Sequence, residues 1–248
     1  MRIIISPAKK MRVDVDSFAC RGLPQFLEKT EQLRQRLRGM SREELKRLWR
    51  CNDQIAGLNV QRLQTMELRK ALTPAILSYD GIQYRYMAPG VFTDEALEYV
   101  QEHLRILSGF YGVLRPFDGV TPYRLEMQAK LSMGQEKDLY GFWGGSIAGL
   151  LRSETDCILN LASKEYSRCV SDYLTGKTRF ITCVFGERLE GKIVEKGTLC
   201  KMARGEMVRY MAERQIEAPE EVKAFDRLGY RFSPEQSNNT MYLFLKED

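Results

Sequence analysis

The segment Arg2-Ile3-Ile4-Ile5-Ser6-Pro7-Ala8-Lys9 stands near the start of the chain, and its apolar run stops at a serine and a proline. Three consecutive isoleucines favour a strand, and Pro7 cannot continue a hydrogen-bonded ladder, so residues 2–6 are predicted to form a buried strand. The loop that follows carries Lys9 and Lys10, which makes it a place where a phosphate could bind. It does not match a P-loop or a dinucleotide-binding fingerprint.

Outward from this strand, helical and strand patterns alternate. Ser41 and Glu44 have the spacing of a capping box, which predicts a helix start at Arg42. The predicted helices cover residues 24–38, 42–51, 93–107, 139–151 and 203–215, with a short helix at Pro219. The predicted strands cover residues 75–79, 83–87, 157–161, 179–185 and 192–199, and residues 230–245 suggest a closing hairpin. The fold class is therefore α+β.

No internal repeat, low-complexity segment or glycine- and proline-rich linker divides the 248 residues. We therefore expect residues 1–248 to form a single domain, a compact mixed α/β body. A hydrophobic fraction of 44% is enough to fill its core, which excludes an intrinsically disordered chain.

Composition also limits the location and the chemistry of the protein. The longest stretch without a charged residue, residues 139–151, is too short and too rich in glycine to span a membrane, and no secretory signal is present. The six cysteines form no CxxC pair and His103 is the only histidine, so no metal site is predicted. We expect a cytoplasmic protein with no cofactor and no membrane contact, in which His103 is a packed structural residue.

Positive charge is concentrated in one region. Residues 34–50 contain seven arginines and lysines and two glutamates, an excess equal to the net charge of +5 of the whole chain. Such a cluster is typical of a surface that binds a polyanion, although helix faces are also often basic because charged faces are well solvated. Both interpretations stay open at this point.

Residues 42–68 have the pattern of a helix-hairpin-helix, with Gly57-Leu58-Asn59 as the predicted hairpin. In such an element, the turn and the start of the second helix offer backbone amides to a DNA phosphate, and Arg50 and Arg62 would add charge. Asn59 stands where a second glycine is usual, and asparagine tolerates the positive φ that a turn requires. The alternative is a plain turn between two helices.

Three arginines, Arg105, Arg115 and Arg124, lie among apolar and turn residues. An arginine in such surroundings is rarely fully exposed, so these residues either line a cleft or form internal ion pairs. The nearest candidate partners are Asp118 for Arg115 and Glu126 for Arg124.

A further anion site is predicted at Lys201-Met202-Ala203-Arg204-Gly205-Glu206, which is expected to begin an amphipathic helix. The first amides of a helix have no partner within it and attract anions. Lys201 and Arg204 would lie beside these amides.

Six segments spread along the chain are shared with one known family. They are Ser6-Pro7-Ala8-Lys9, Ile55-Ala56-Gly57-Leu58-Asn59, residues 104–127, Phe142-Trp143-Gly144, Asn160-Leu161-Ala162-Ser163-Lys164-Glu165-Tyr166 and Ala203-Arg204-Gly205. In these segments the chain resembles the YaaA family of peroxide-stress proteins over almost its whole length. The resemblance implies an unusual mixed α/β fold in a cytoplasmic bacterial protein that protects against hydrogen peroxide and iron-mediated damage. It also implies DNA binding through a positively charged cleft that contains a helix-hairpin-helix. Met202 departs from the family pattern, in which a second lysine tends to stand there.

The favoured hypothesis is a DNA-binding protein of the peroxide stress response. Its phosphate contacts would be the basic residues Lys9, Arg50, Arg62, Arg105, Arg115, Arg124, Lys164, Lys201 and Arg204. Gly57 and Asn59 would position the duplex. Tyr111, Tyr123 and Tyr166 would either stack on unpaired bases or pack in the core. The expected partner is double-stranded or partly melted DNA, and no protein partner is indicated.

The alternative hypothesis is an enzyme that acts on a small phosphorylated or nucleotide substrate. Its anion clamp would consist of Lys9, Arg115, Arg124 and Lys201. Asp118 or Glu126 would act as its acid or base. The two hypotheses differ in geometry, because an enzyme needs these groups around one closed pocket, whereas a duplex needs an open basic groove about 20 Å wide.

Overall fold

The structure of the protein is a computed structural model that describes residues 1–247, and Asp248, the last residue of the predicted domain, lies outside the described residues. The strands are β1 (Arg2–Ile5), β2 (Lys10–Met11), β3 (Thr73–Pro74), β4 (Tyr79–Asp80), β5 (Leu104–Ser108), β6 (Gly112–Leu114), β7 (Gly119–Val120), β8 (Cys157–Leu161), β9 (Arg179–Leu189), β10 (Lys192–Val194), β11 (Tyr230–Phe232) and β12 (Met241–Lys246). The α-helices are α1 (Leu27–Arg38), α2 (Arg42–Trp49), α3 (Asp53–Thr65), α4 (Ala75–Ser78), α5 (Ile82–Met87), α6 (Asp94–His103), α7 (Leu139–Trp143), α8 (Ser146–Glu154), α9 (Lys164–Ser171) and α10 (Gly197–Arg214). Short 3₁₀ helices cover Pro89–Val91, Pro219–Ala224 and Pro234–Gln236.

Strand β1 lies in the interior of the main sheet, whose strand order is β11-β12-β9-β8-β1-β5-β6, with β10 paired to β9. It pairs in parallel with β5 on one side and with β8 on the other. Strands β9 and β12 continue the parallel arrangement beyond β8, and β6 and β11 pair in antiparallel fashion at the two ends. Ile3, Ile4 and Ile5 are fully buried, as expected for a parallel strand that is covered on both faces.

The chain leaves β1 and β8 toward opposite sides of the sheet. After β1, the next strand of the main sheet is β5, whereas β8 is followed by β9 on the other side. The connections that start at the carboxyl ends of β1 and β8 therefore diverge. In open α/β sheets, ligands bind in the crevice that forms at such a point. At its base the two loops are joined, because Ser6 Oγ accepts a hydrogen bond from the Ser163 backbone N–H at 2.8 Å.

Helices cover the sheet and extend the core. Helix α10 packs against α5, and the Cα of Gly205 lies so close to the backbone of Gln83 that a side chain would not fit between them. Helices α1, α2 and α3 contribute Leu33, Leu45 and Leu63 to the hydrophobic core that also contains β1. None of the helices in residues 1–247 is both long enough and apolar enough to cross a membrane.

Several predictions from the sequence pattern are confirmed. The strands predicted at residues 2–6 and 157–161 are β1 and β8, and the mixed α/β class is correct. The capping box is present, since Ser41 Oγ accepts from the Glu44 N–H and Glu44 accepts from the Ser41 N–H. His103 is a buried structural residue whose ring stacks on Tyr99 with a centroid distance of 4.4 Å.

The predicted strands at residues 75–79 and 83–87 are wrong except at Tyr79, which begins β4, because residues 75–78 form α4 and residues 83–87 lie in α5. The four residues of α4 are all buried, and a short apolar run that is buried on every side has no periodicity to separate helix from strand. Tertiary contacts decide the conformation instead, since the N–H groups of Ala75 and Ile76 donate to carbonyls of Asp118 and Pro116.

Three predicted boundaries are also wrong. The helix predicted to reach residue 107 ends at His103, because β5 begins at Leu104 and pairs with β1. The helix predicted over residues 139–151 is divided into α7 and α8 at Gly144, whose φ of +47° is left-handed. The strand predicted over residues 192–199 ends at Val194, because α10 begins at Gly197.

The predicted hairpin Gly57-Leu58-Asn59 is wrong, because it lies inside α3. The turn between α2 and α3 is instead formed by residues 50–52, with Arg50 in the left-handed region at φ 46°. Asn52 then starts α3 by accepting a hydrogen bond from the Ile55 N–H at 2.9 Å, and the Asn59 side chain donates to the Ile55 carbonyl within the helix. The two helices form a pair, but its turn comes earlier than predicted.

Substitution of Gly205 tests the contact between α5 and α10. In Gly205→Ala the new methyl group would overlap the Gln83 carbonyl, and we expect a loss of about 2 kcal/mol in unfolding free energy. The matched control is Gly149→Ala in α8, where no heavy atom lies within 4 Å of the new Cβ. Alanine should stabilise that exposed helix position by up to about 1 kcal/mol. Urea unfolding measures both, and equal stabilities of the two variants would contradict the packing.

Candidate functional site

A pocket with a volume of about 400 Å³ lies at the carboxyl ends of β1 and β8. Its walls come from the loop after β1, the turn before α5, residues 123–126, the start of α9 and the body of α10. The volume is within the range of small-molecule sites, and the position is the crevice where the two connections diverge.

Positive charges outnumber negative charges in the pocket. Its cationic lining residues are Lys9, Lys10, Arg124, Lys201 and Arg204. Its anionic lining residues are Asp80, Glu126 and Glu165. With all eight groups ionised the lining carries two net positive charges, so it attracts an anion.

Internal ion pairs neutralise part of this positive charge. Glu126 lies 2.8 Å from Lys9 Nζ and 3.6 Å from a terminal nitrogen of Arg124, which confirms the pairing of Arg124 with Glu126. Lys10 Nζ lies 2.7 Å from Asp80, and Arg204 has a long ion pair of 3.9 Å with Glu195. Within residues 1–247 Lys201 has no ion pair, so the unpaired positive charge of the pocket is on α10.

Three buried donors in the lining residues have no hydrogen-bond partner within the part of the chain that the structure describes. They are Gln83 Nε2, Arg124 Nε and Arg204 Nε. Gln83 is only 6% exposed. A buried donor without an acceptor costs about 1–3 kcal/mol, so these three donors destabilise the walls of the pocket.

Two close backbone contacts bring these groups together. Gly205 allows α10 to approach the backbone of Gln83, which places Arg204 and Gln83 beside the same pocket. Gly81 allows the turn before α5 to approach Ala8, since an added Cβ would lie 2.8 Å from the Ala8 Cβ. Both glycines are thus required by close approach rather than by turn geometry.

The predicted surroundings of Lys201 and Arg204 are wrong in one respect. Helix α10 begins at Gly197, because Lys196 is its N-cap residue, so both side chains lie in the body of the helix and not beside its free amides. Their convergence on the pocket therefore comes from the packing of α10 on α5.

Arg105 and Arg115 lie near the amino end of β1, on the side of the sheet opposite to the carboxyl ends that form the pocket. Arg105 is 2% exposed, and its Nε donates to Glu154 at 2.8 Å. The Arg115 guanidinium is half-exposed and lies 3.3 Å from the same carboxylate, which Arg2 also contacts. Because Arg2 begins β1 and the pocket follows its end, these arginines are not part of the pocket, and Arg105 has no surface for a phosphate.

The predicted ion pair between Arg115 and Asp118 is wrong. Asp118 Oδ2 accepts the backbone N–H of Arg115 at 2.8 Å, while the guanidinium turns to Glu154. Burial raises the pKa of Asp118 to about 6, and this carboxyl is not a lining residue of the pocket. Of the two predicted acid–base candidates, only Glu126 lies in the pocket.

The remaining predicted DNA contacts are distributed over other surfaces. Arg50 is exposed in the turn between α2 and α3, whereas Arg62 is partly buried and donates to the Met11 carbonyl. Burial lowers the pKa of Arg62. Lys164 is exposed at the first position of α9, next to the pocket residues Ser163 and Glu165.

The tyrosines considered for base stacking are packed in the protein. Tyr123 is 8% exposed, and its hydroxyl lies 2.6 Å from Ser108 Oγ and 2.8 Å from the Tyr79 hydroxyl. Tyr111 is fully enclosed and bonds to Thr121, and Tyr166 is also buried. Burial raises the pKa of all three hydroxyls.

Sequence reasoning missed Gln83 and Glu165. Gln83 was placed on a predicted strand, and no sequence pattern shows that a side chain is buried without a partner. Glu165 could have been found, because it follows closely after the core strand 157–161, at the edge where the carboxyl ends of parallel strands meet. Among residues 1–247, no three histidine, cysteine, aspartate or glutamate side chains converge as a metal site would require.

The sequence of the chain matches known proteins over almost its whole length. Residues 1–236 match the family model described as peroxide stress protein YaaA. A UPF0246 protein of Lachnoclostridium phytofermentans is 58% identical over 99% of this chain and 96% of its own length. UPF0246 proteins of Desulfitobacterium hafniense and Pediococcus pentosaceus are 53% and 48% identical, covering 99% and 100% of this chain and 98% and 99% of their own lengths.

The arginines around Glu154 should differ strongly in their effect on stability. Arg105→Ala would leave a carboxylate that is 11% exposed without its closest cation, and we expect a loss on the order of 3 kcal/mol. Arg115→Ala is the matched control, because that guanidinium is 56% exposed and its loss should cost about 1 kcal/mol or less. Thermal unfolding of the two variants provides the comparison, and a larger loss in Arg115→Ala would contradict it.

Proposed function

This chain belongs to the peroxide stress protein YaaA family, and we propose that it acts in this response by binding a small phosphorylated or nucleotide ligand in the pocket at the ends of β1 and β8. The observation that carries the proposal is the convergence of cations on one pocket. Lys9, Arg124, Lys201 and Arg204 come from three separate parts of the chain and all line it.

The charge of the pocket fits a phosphate group. A phosphate monoester carries about −1.5 to −2 charges at neutral pH and three acceptor oxygens. With all eight groups ionised the lining carries two net positive charges, so its charge is opposite in sign to that of a phosphate group. A duplex is about 20 Å wide, which is far more than a pocket of about 400 Å³ admits.

Ligand binding to the pocket is tested with a panel of ribonucleoside 5′-monophosphates, sugar phosphates and pyrophosphate, using calorimetry. We expect at least one member to bind saturably, and Lys201→Ala to weaken it about tenfold, because one unpaired cation on the α10 side is lost.

Arg115→Ala is the control for this experiment, since it removes an exposed arginine at the opposite edge of the sheet. It should leave the affinity unchanged. Failure of every compound to bind, or an equal effect of the two substitutions, would contradict the proposal.

A second candidate function, binding of double-stranded or partly melted DNA, is favoured by a different surface. Arg42, Arg47 and Arg50 are exposed on the α2–α3 pair, and Arg47 and Arg50 share an open groove with Lys130. Contacts to phosphates there would come from side chains, because the Asn52 side chain caps the start of α3 and the acidic Asp53 follows it.

The salt dependence of DNA binding tests this second function. For DNA binding through these side chains, log affinity should fall with log salt concentration, and the double variant Arg47→Ala, Arg50→Ala should reduce the slope by about 2. Lys201→Ala is the matched control, because it removes a cation of the pocket and should leave the slope unchanged. Undetectable binding at about 50 mM salt, or an unchanged slope in the double variant, would exclude this surface.

A further inference from the structure

Two of the three carboxylates that line the pocket, Glu126 and Glu165, have different surroundings. Glu126 is held between two cations, with Lys9 Nζ at 2.8 Å and Arg124 at 3.6 Å. Glu165 forms no ion pair with any residue that the structure describes, and its Oε1 accepts one long hydrogen bond of 3.3 Å from the Gln128 N–H. The pair therefore consists of one neutralised carboxylate and one that is not neutralised.

Glu165 lies near groups of both charges. Its titratable neighbours are Lys9 from the loop after β1, Glu126 from residues 123–126, Tyr140 from α7 and the adjacent Tyr166, and Lys201 and Arg204 from α10 line the same pocket. Lys9 is already bound to Glu126, and Tyr140 uses its hydroxyl to donate to the Glu165 carbonyl at 2.9 Å. Burial raises the pKa of Glu165, and the neighbouring charge of Glu126 acts in the same direction.

A bound dianion would make the ionisation of Glu165 still less favourable. An ionised Glu165 would repel the anion that Lys201 and Arg204 attract, whereas a protonated Glu165 would supply a donor on the wall where α9 begins. Environments that separate two carboxyl groups in this way are the arrangement from which enzymes obtain one acid and one base.

We propose that Glu165 is the proton-bearing group of the pocket, which binds its anionic ligand with Glu165 protonated and donating a hydrogen bond to a ligand oxygen. Glu126 stays ionised between Lys9 and Arg124. This inference rests on the proposed function, because it assigns a role to a residue of the same pocket. The proton is taken from solvent, the bond formed is the carboxyl O–H bond, and no electrons are transferred.

The experiment measures sulfate binding by calorimetry between about pH 5.5 and pH 8. Sulfate is chosen because it keeps its two charges over this range, so any proton taken up belongs to the protein. If one proton is taken up on binding, the affinity rises up to about tenfold for each unit that the pH falls. This rise occurs between the pKa of Glu165 in the free protein and its higher pKa in the complex. We expect the wild-type protein to show such an increase.

Two substitutions separate the two possible causes of the pH dependence, which are charge repulsion by Glu165 and a hydrogen bond donated by Glu165. Glu165→Gln imitates the protonated carboxyl, so it should bind sulfate at pH 8 at least about tenfold more tightly than wild type and lose the pH dependence. Glu165→Ala removes the repulsion but cannot donate, so it should also lose the pH dependence and bind more weakly than Glu165→Gln. Thermal unfolding checks that both variants are folded.

Asp118→Asn is the control, because Asp118 has a pKa of about 6 within the same range but lies outside the pocket. It should retain the pH dependence of wild type. No saturable sulfate binding at any pH would contradict the proposed function itself. Sulfate binding that is independent of pH in wild type, pH dependence that persists in Glu165→Gln, or equal affinities of Glu165→Gln and Glu165→Ala would overturn the role of Glu165 alone.

Discussion

The parallel pairing of β1 with β5 and β8 is the constraint on which the rest of the structure depends. It buries Ile3, Ile4 and Ile5 on both faces of the sheet. It also fixes where the connections of the chain diverge, and thereby creates the crevice at the carboxyl ends. The hydrogen bond between Ser6 and Ser163 holds the two loops together at this point. Without this pairing, the basic residues of the loop after β1 and of α10 would have no common pocket.

Charged residues cluster both at the amino edge of the sheet, where the parallel strands begin, and at its carboxyl edge, where they end. At the amino edge, Arg2, Arg105 and Arg115 surround Glu154. Burial opposes the ionisation of this carboxyl, but the hydrogen bonds from Arg105 and Arg115 and the positive charges of Arg105 and Arg2 hold its pKa below the usual value. At the carboxyl edge, the cations that line the pocket outnumber the carboxylates by five to three. Arg105 at the amino edge is thus buried against Glu154, whereas the cations at the carboxyl edge line the pocket. Net charge alone does not separate these two uses.

The sequence pattern predicted the parts of the fold that local physics determines. The isoleucine run, the core strand 157–161 and the capping box at Ser41 have strong local signals, and the structure confirms all three. Segments 75–79 and 83–87 have no such signal, because every residue of α4 is buried and short apolar runs lack periodicity. The site, like the fold, was predicted only in part. Its cations are visible in the sequence, whereas the burial of Gln83 and the missing partner of Glu165 depend on contacts between distant segments.

The sheet topology has a consequence for how the protein is made. Strand β1 lies at residues 2–5, and its neighbour β8 and the more distant β9 and β12 come from residues 157–161, 179–189 and 241–246. During synthesis β1 can first pair with β5, which leaves its other edge open until more than half of the chain has followed. Long-range parallel pairing is slow, and an open apolar edge is prone to aggregation, so the late synthesis of β8 prolongs the stage at which the nascent chain can aggregate. The same central position that places the crevice at the end of β1 thus makes the pairing of this strand depend on distant parts of the chain.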